Sequence, residues 1–598
     1  MQEGRPGGRT LPFRHMATPN ENQPELFDRR QRCAHDGTKE SKMHALAADG
    51  ITLRIALSKV DILLLFIYFV WVIGIGFALR RAVNSSLDFF LAGRSLPAWI
   101  TGLAFISANL GATEILGQSA SGAQYGAATA HYYWIGAIPA MVFLGIVMMP
   151  FYYGSKVRSV PEYLKLRYDK KTHLLNAITF VVGSLLIAGV NLFALATVVE
   201  ALLGIPLPLA IVVSAAFVLS YILLGGLTSA IYNEVLQFFV IMAGLIPLVI
   251  IAVKDVGGIG QLWSKVQATQ GINYVQPWSG TGAGGTNVFG DWFGIVFGLG
   301  FALSFGYWTT NFAEVQRAMA AKNEHAARLT PILGAFPKTL IPLVTILPGM
   351  AAVVLIPGLG QPGSGITYNN ALPALMSKYL PQGMVGVAVT GLVAAFMAGM
   401  AANISSFNAV FTYDIWQDYI RPDRPDGYYL KVGRWVTIIG VVIGIATSAI
   451  AAGFSNISNY FQVLFSALNV PLFCAFIIGM FWRRTSKSAG FWGILCGTGG
   501  AVTLYVLYKT NVVHFRSEIH ESLWSGIVAF TAGALAVVIV TLVERKPKPD
   551  EQLRGLVYGL TRHDAVEPIR YPWYRSPVKL GLGVFSFSIV WYLIVQAL

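Results

Sequence analysis

The chain has 598 residues, 55% of them hydrophobic and only 12% charged, with a mean hydropathy of +0.58. A soluble chain carries about 25% charged residues, so a water-soluble multidomain enzyme is excluded at the outset. The formal charge of +14 does not point to nucleic acid, because the 62 glycines and 14 tryptophans lie in long apolar stretches rather than around a basic stripe. A polytopic membrane protein carries a basic excess in its cytoplasmic loops in any case. Cys33, Cys474 and Cys496 have neither disulfide nor metal spacing.

Residues 1–58 have the composition of a disordered tail and lack the apolar core of a signal peptide. Beyond the tail, runs of about 20 apolar residues, long enough to cross a bilayer as helices, recur fourteen times. They cover 60–79, 97–125, 127–154, 174–202, 205–225, 232–253, 291–316, 331–356, 382–415, 432–453, 457–482, 488–508, 523–543 and 579–597. The chain thus divides into the tail, a transmembrane core (59–543), a hydrophilic cytoplasmic linker or surface lid (544–578) and a final transmembrane helix (579–598).

The odd-numbered connections between spans hold 27 Lys and Arg residues and the even-numbered ones five. Odd connections are therefore cytoplasmic, and fourteen spans put both termini outside; the ten basic residues of the tail oppose this orientation. One cation, Lys338, falls inside a span, with Glu114, Glu234 and Glu314 at comparable depth. An ionisable group in the bilayer interior costs about 3 kcal/mol or more and marks function by default. The structural alternative is a Lys–Glu pair joining two helices.

Two spans read as interrupted. The second, AFISANLGATEILGQSASGAQYG, is weakened at Asn109 and Gly111; the seventh, GFALSFGYWTTNFAEVQ, has Gly306 beside Tyr307. Broken helices in corresponding positions of two halves mark a transporter's midplane site, where freed carbonyls can hold a cation and half-helix ends can face a solute. Spans 2–6 and 7–11 make two such five-helix repeats.

From about Asp61 to Phe491, motifs such as FFLAGRSLPAW, SANLGATEILG, SVPEYLKLRYDKK, GGLTSAIYNEVLQ, YWTTNFAEVQRAMAAKN and YFQVLFSALNVPLFCAFIIGMFWRR together resemble the sodium/solute symporter family, in its sodium–glucose/galactose cotransporter-like branch. The resemblance implies an all-α polytopic membrane protein of about 14 transmembrane helices. It also implies two inverted five-helix repeats in a leucine-transporter-like architecture, with helices 2 and 7 broken. By position it assigns solute binding to Asn109, Lys338 and Gln462, with Tyr307 as an aromatic gate. Such groups suit a neutral polyol, which needs donors, acceptors and a flat apolar surface. Three pocket positions depart from the family pattern: Glu114 replaces Gln or His, Tyr133 replaces Glu, and Ser304 replaces Asn. A Glu114–Lys338 pair then stands in for the original acid.

For sodium, the resemblance assigns carbonyls at Ser107, Leu110 and Ala395 and hydroxyls at Ala398 and Gly399, which have none. The desired A-x-x-S-S spacing recurs seven residues later at Ala402–Ser406, about 10 Å along the helix. The acid bordering a second cation site, or a proton site, falls on Glu234. The expected function is a solute:cation symporter of the plasma membrane for a sugar or related polyol, working by alternating access across a degraded sodium site. Proton coupling through Glu114 or Glu234, uncoupled transport, or a monocarboxylate, sialic acid or amino-acid substrate are the alternatives; a sensor or channel on the same fold is a further one. Expected partners are the solute, Na⁺ or H⁺ and the lipid bilayer, with no nucleic acid and no cofactor beyond the coupling ion. No nucleophile–base pair, metal cluster or phosphate loop suggests an enzyme, and His131 and His173 stand alone in the sequence.

Overall fold

The computed structural model describes residues 57–79, 85–451, 456–560 and 571–597. The expected disorder of 1–58 therefore falls almost wholly outside the described residues. Helices occupy each of the fourteen predicted stretches. In chain order they are α1 (Lys59–Leu79), the half-helices α2 (Ala98–Asn109) and α3 (Thr113–Ala130), α4 (Tyr132–Gly154), α5 (Lys170–Leu203) and α6 (Leu207–Val256). Then follow α7 (Gly294–Thr310), α8 (Phe312–Met319), α9 (Glu324–Leu355), α10 (Met384–Ile420) and α11 (Asp426–Ala451). The series ends with α12 (Ile457–Phe481), α13 (Ala489–Lys509), α14 (Glu518–Glu544) and α15 (Pro577–Ala597).

Among the described residues, eleven single helices are long and apolar enough to cross a membrane, and α2 with α3 makes a twelfth, bent by 61°. The shorter apolar helices Leu207–Leu223 and Gly294–Thr310 lie on the fifth and seventh predicted spans. The fifth and sixth spans are not separated by a loop; they join at a kink in α6, where Gly226 adopts φ 55°, ψ −148°. A Cβ there would lie 2.7 Å from the ring and carbonyl of Phe89, so both backbone shape and space require glycine.

Side chains punctuate the helices where the sequence changes from polar to apolar. Asp169 Oδ1 accepts from Thr172 N at 2.8 Å, Asn323 Oδ1 from Ala326 N at 2.8 Å, and Asn456 Oδ1 from Ser458 N at 2.9 Å, each satisfying an otherwise orphaned amide of a first turn. Asp61 accepts from Gly383 N (2.8 Å) and Gly386 N (2.7 Å), fastening α1 to the start of α10. Helix α10 is the central element, with 89% of its apolar window buried against 17% for α1. Helix α9 stays continuous through Pro331, Pro337, Pro342 and Pro348.

Two cations counted as loop residues for orientation are internal. Arg167 is fully buried and donates to Gly479 O (2.6 Å) and Trp482 O (2.9 Å), a favourable place for a cation at the C-terminal end of α12. Arg317 is likewise buried. The first part of the linker is not a detached lid: Leu553 and Val557 are buried, Tyr163 donates to Leu556 O, and Lys548 Nζ donates to Leu166 O at 2.6 Å.

Candidate functional site

Leu110 (ψ 36°) ends α2, and the chain turns before α3 begins. The turn is held from α5, where Asn191 Oδ1 accepts from Ala112 N at 2.8 Å and its amide donates to Ile187 O at 3.0 Å. It also presses on α10: a Cβ on Gly111 would lie 3.2 Å from Gly399 Cα. In the seventh span, Gly306 is helical, and its missing side chain lets Asn469 of α12 approach, the carbonyl lying 3.2 Å from where a Cβ would be. The interruption there falls four residues after Tyr307, at Asn311 (φ −69°, ψ 112°).

These two breaks, with α4, α9, α10 and α12, line a cavity of about 80 Å³, room for several waters. All seven residues assigned to solute binding line it: Asn109, Glu114, Tyr133, Ser304, Tyr307, Lys338 and Gln462. Lys338 is buried, with Nζ donating to Asn109 Oδ1 at 2.5 Å and lying 2.6 Å from Glu114 Oε1. The ammonium is thus shared between the Glu114 carboxylate and the Asn109 amide oxygen. The ammonium is 4.8 Å from the Tyr133 ring centroid and 5.3 Å from that of Trp308, both within cation–π range. Asn109 Nδ2 donates to the Tyr307 hydroxyl at 3.0 Å, which in turn donates to Glu314 Oε1 at 2.6 Å. The Tyr307 ring packs on Phe465, with centroids 4.5 Å apart.

Of the positions assigned to sodium, Ser107 and Leu110 lie at the α2–α3 break and Gly399 packs against Gly111 within it. Ser107 Oγ is buried with no hydrogen-bond partner, and Ser107 O accepts from Leu110 N at 3.0 Å. Ala395 and Ala398 are buried, and Ala398 and Gly399 contribute no side-chain oxygen. Two turns on, the Ser405 and Ser406 hydroxyls donate back to Ala402 O at 3.1 and 2.9 Å.

Glu234, assigned as a second cation or proton site, is held by Arg317 through two nitrogens, with Nη2–Oε1 at 2.5 Å and Nε–Oε2 at 3.3 Å, in a fully buried pair. Both carboxylate oxygens are thereby occupied by a cation belonging to the protein. His131 lies between Pro277 O and the Tyr592 hydroxyl, each at 3.2 Å, and His173 between Asp414 Oδ1 and the Tyr419 hydroxyl, each at 2.9 Å; both are packing elements away from the cavity.

Residue-by-residue reasoning missed Asn191 and Trp308. A single asparagine within IAGVNLFALAT is the sequence signal for the first; Trp308 carries none beyond its place beside Tyr307.

A model of the sodium:solute symporter family matches residues 89–497. The chain belongs to that family. The symporter is 28% identical over 468 residues to the sodium/glucose cotransporter of Vibrio parahaemolyticus, covering 75% of this chain and 85% of that protein. It is 27% identical to sodium/myo-inositol cotransporter 2 of Homo sapiens, covering 88% and 82%. Among solved structures, a substrate-bound, outward-open Na⁺-coupled sialic acid symporter aligns with a TM-score of 0.69 at 18% identity, over 82% of this chain and 99% of that one. The fold is therefore the leucine-transporter-like one of two five-helix repeats, and the symporter is a multi-pass membrane transporter, not an enzyme.

Proposed function

We propose that the protein is a plasma-membrane symporter that carries a sugar or related polyol by alternating access, driven by Na⁺, with both termini extracytoplasmic. The observation that carries this reading is the convergence of Asn109, Lys338, Gln462, Ser304 and the rings of Tyr133 and Tyr307 on one buried cavity at the α2–α3 break. Glu114 already faces the one ammonium there, so the cavity offers hydrogen bonds and apolar walls without an unmatched positive charge to call for an anion. The curated relatives named for glucose and myo-inositol support the same solute class. A polyol hydroxyl entering between Lys338 and Asn109 takes over both ends of their hydrogen bond and loosens the Tyr307 gate behind it.

For the ion, the carbonyls of Ser107, Leu110 and Ala395 and the unpartnered Ser107 hydroxyl form the sodium cradle. The absent hydroxyls at Ala398 and Gly399 make it a weak one, because hard cations are held by several oxygens at once.

The test is counterflow uptake into proteoliposomes with sugars, inositols, sugar acids and monocarboxylates. Competition by a neutral polyol is expected, and competition by anions alone sinks the solute assignment. Replacing Na⁺ by choline at fixed pH is expected to slow uptake; an unchanged initial rate and accumulation sinks sodium coupling.

A further inference from the structure

Five ionisable side chains run through the interior from the cavity to α8: Glu114, Lys338, Glu314, Arg317 and Glu234. Each base has its acid, since Lys338 lies against Glu114 and Arg317 holds both oxygens of Glu234. Glu314 is the odd acid. It is buried and lines the cavity. Its Oε1 accepts from Tyr307 at 2.6 Å, while its Oε2 is buried and has no hydrogen-bond partner. An ionised carboxylate so placed keeps one buried oxygen without a hydrogen bond, a costly arrangement.

The geometry points to Glu314 as a proton-binding site of the transport cycle, rooted in the same cavity as the solute. The inference rests on the symport reading above and adds a second ion to it. When the cavity opens to one side, a hydronium ion delivers its proton to Oε2, leaving water and a neutral carboxylic acid. When the cavity opens to the other side, the same O–H bond breaks and water carries the proton away. Loading removes the charge on Glu314 and turns the charge-assisted bond from Tyr307 into a weaker neutral one. Tyr307 accepts from Asn109 and Asn109 accepts from Lys338, so the change reaches the groups that would hold solute.

The groups facing Glu314 are Tyr307 from α7, Lys338 from α9 and Glu234 from α6, with Arg317 on its own helix; Glu114 stands beyond Lys338. Helix α2 and the Met384–Val410 part of α10 also pack on α8 and bring no ionisable side chain. The short helix Ser86–Leu91 brings Asp88, held in its own capping box with Ser85. The end of α4 brings Tyr152 and Tyr153, whose hydroxyls donate to Thr309 O and Ala321 O at 2.9 Å. A metal cation is disfavoured at Glu314 because Oε1 is taken by Tyr307 and two protein cations already face the carboxylate.

The experiment is pH-difference infrared spectroscopy of the full-length protein in liposomes, without solute, over an acid-to-alkaline series. The wild type is expected to show a buried carboxylic-acid band that titrates. Glu314→Gln loses it, Glu314→Asp keeps it at a shifted frequency, and Tyr307→Phe moves it because Oε1 loses its donor. Identical carboxyl spectra in wild type and Glu314→Gln overturn the proposal. So does a band that responds to Na⁺ at fixed pH but not to protons. Should Glu314→Gln fail to reconstitute, the aspartate and phenylalanine variants decide: a band shifted in both supports the assignment and a band unmoved in both overturns it. Because the measurement needs no solute, its failure is distinct from failure of the polyol reading, which shows as absent counterflow.

Discussion

Lys338 carries the sharpest test at the scale of single residues. It is buried against Glu114, and removing one partner of such a pair strands the other charge at a cost of about 3–5 kcal/mol. Lys338→Met is therefore expected to lower the melting temperature of the detergent-solubilised protein and to abolish solute binding. Adding Glu114→Gln restores most of the stability, since no charge is then left alone, but not the binding. Gln462→Ala is expected to weaken binding with little change in melting temperature; wild-type affinity returns Gln462 to a packing role. The pocket positions were legible through the family resemblance, which assigns them by position. The Arg317–Glu234 pair was not, because its members are 83 residues apart and a buried arginine near a span end has the same sequence signature as one in a cytoplasmic loop.

At the scale of elements, the break between α2 and α3 depends on neighbours that supply what the missing helical turn does not. Asn191→Leu removes the acceptor for Ala112 N and is expected to cost about 1 kcal/mol, the usual value of a lost cap. Gly399→Ala does more, because its Cβ would meet Gly111 Cα at 2.9 Å, and overpacking of this kind costs about 1–3 kcal/mol. Thermal unfolding ranks the two. Ala398→Ser restores one hydroxyl without touching that approach and is expected to lower the Na⁺ concentration for half-maximal uptake; an unchanged sodium dependence removes Ala398 from the ion site. The absence of a side chain at Gly399 has a packing reason, which one sequence read alone could not supply. The same limit explains the seventh span: Gly306 looked like the break but serves close packing on Asn469, and Asn311, which makes the break, is an unremarkable residue until its backbone angles are seen.

For the molecule as a whole, the span pattern was the most legible level, since apolar length is a local property of the chain. The proposed orientation rests on a charge asymmetry that persists after Arg167 and Arg317 are recognised as internal. With Cys33, Cys474 and Cys496 replaced, Gly282→Cys is expected to react with a membrane-impermeant thiol reagent on intact cells, and Gly427→Cys only after permeabilisation. Both glycines are exposed with open space where a side chain would go, and the reverse labelling pattern inverts the topology. The four prolines of α9 bear on how such a molecule moves. Proline donates no backbone hydrogen bond, so the carbonyls four residues earlier, at Ala327, Leu333, Lys338 and Val344, each lack their helical donor. Helix α9 thus has four points at which its hydrogen-bond ladder is interrupted while the helix runs on. One of these points lies at the backbone of Lys338 itself, so any bend of α9 there is coupled directly to the position of the buried ammonium.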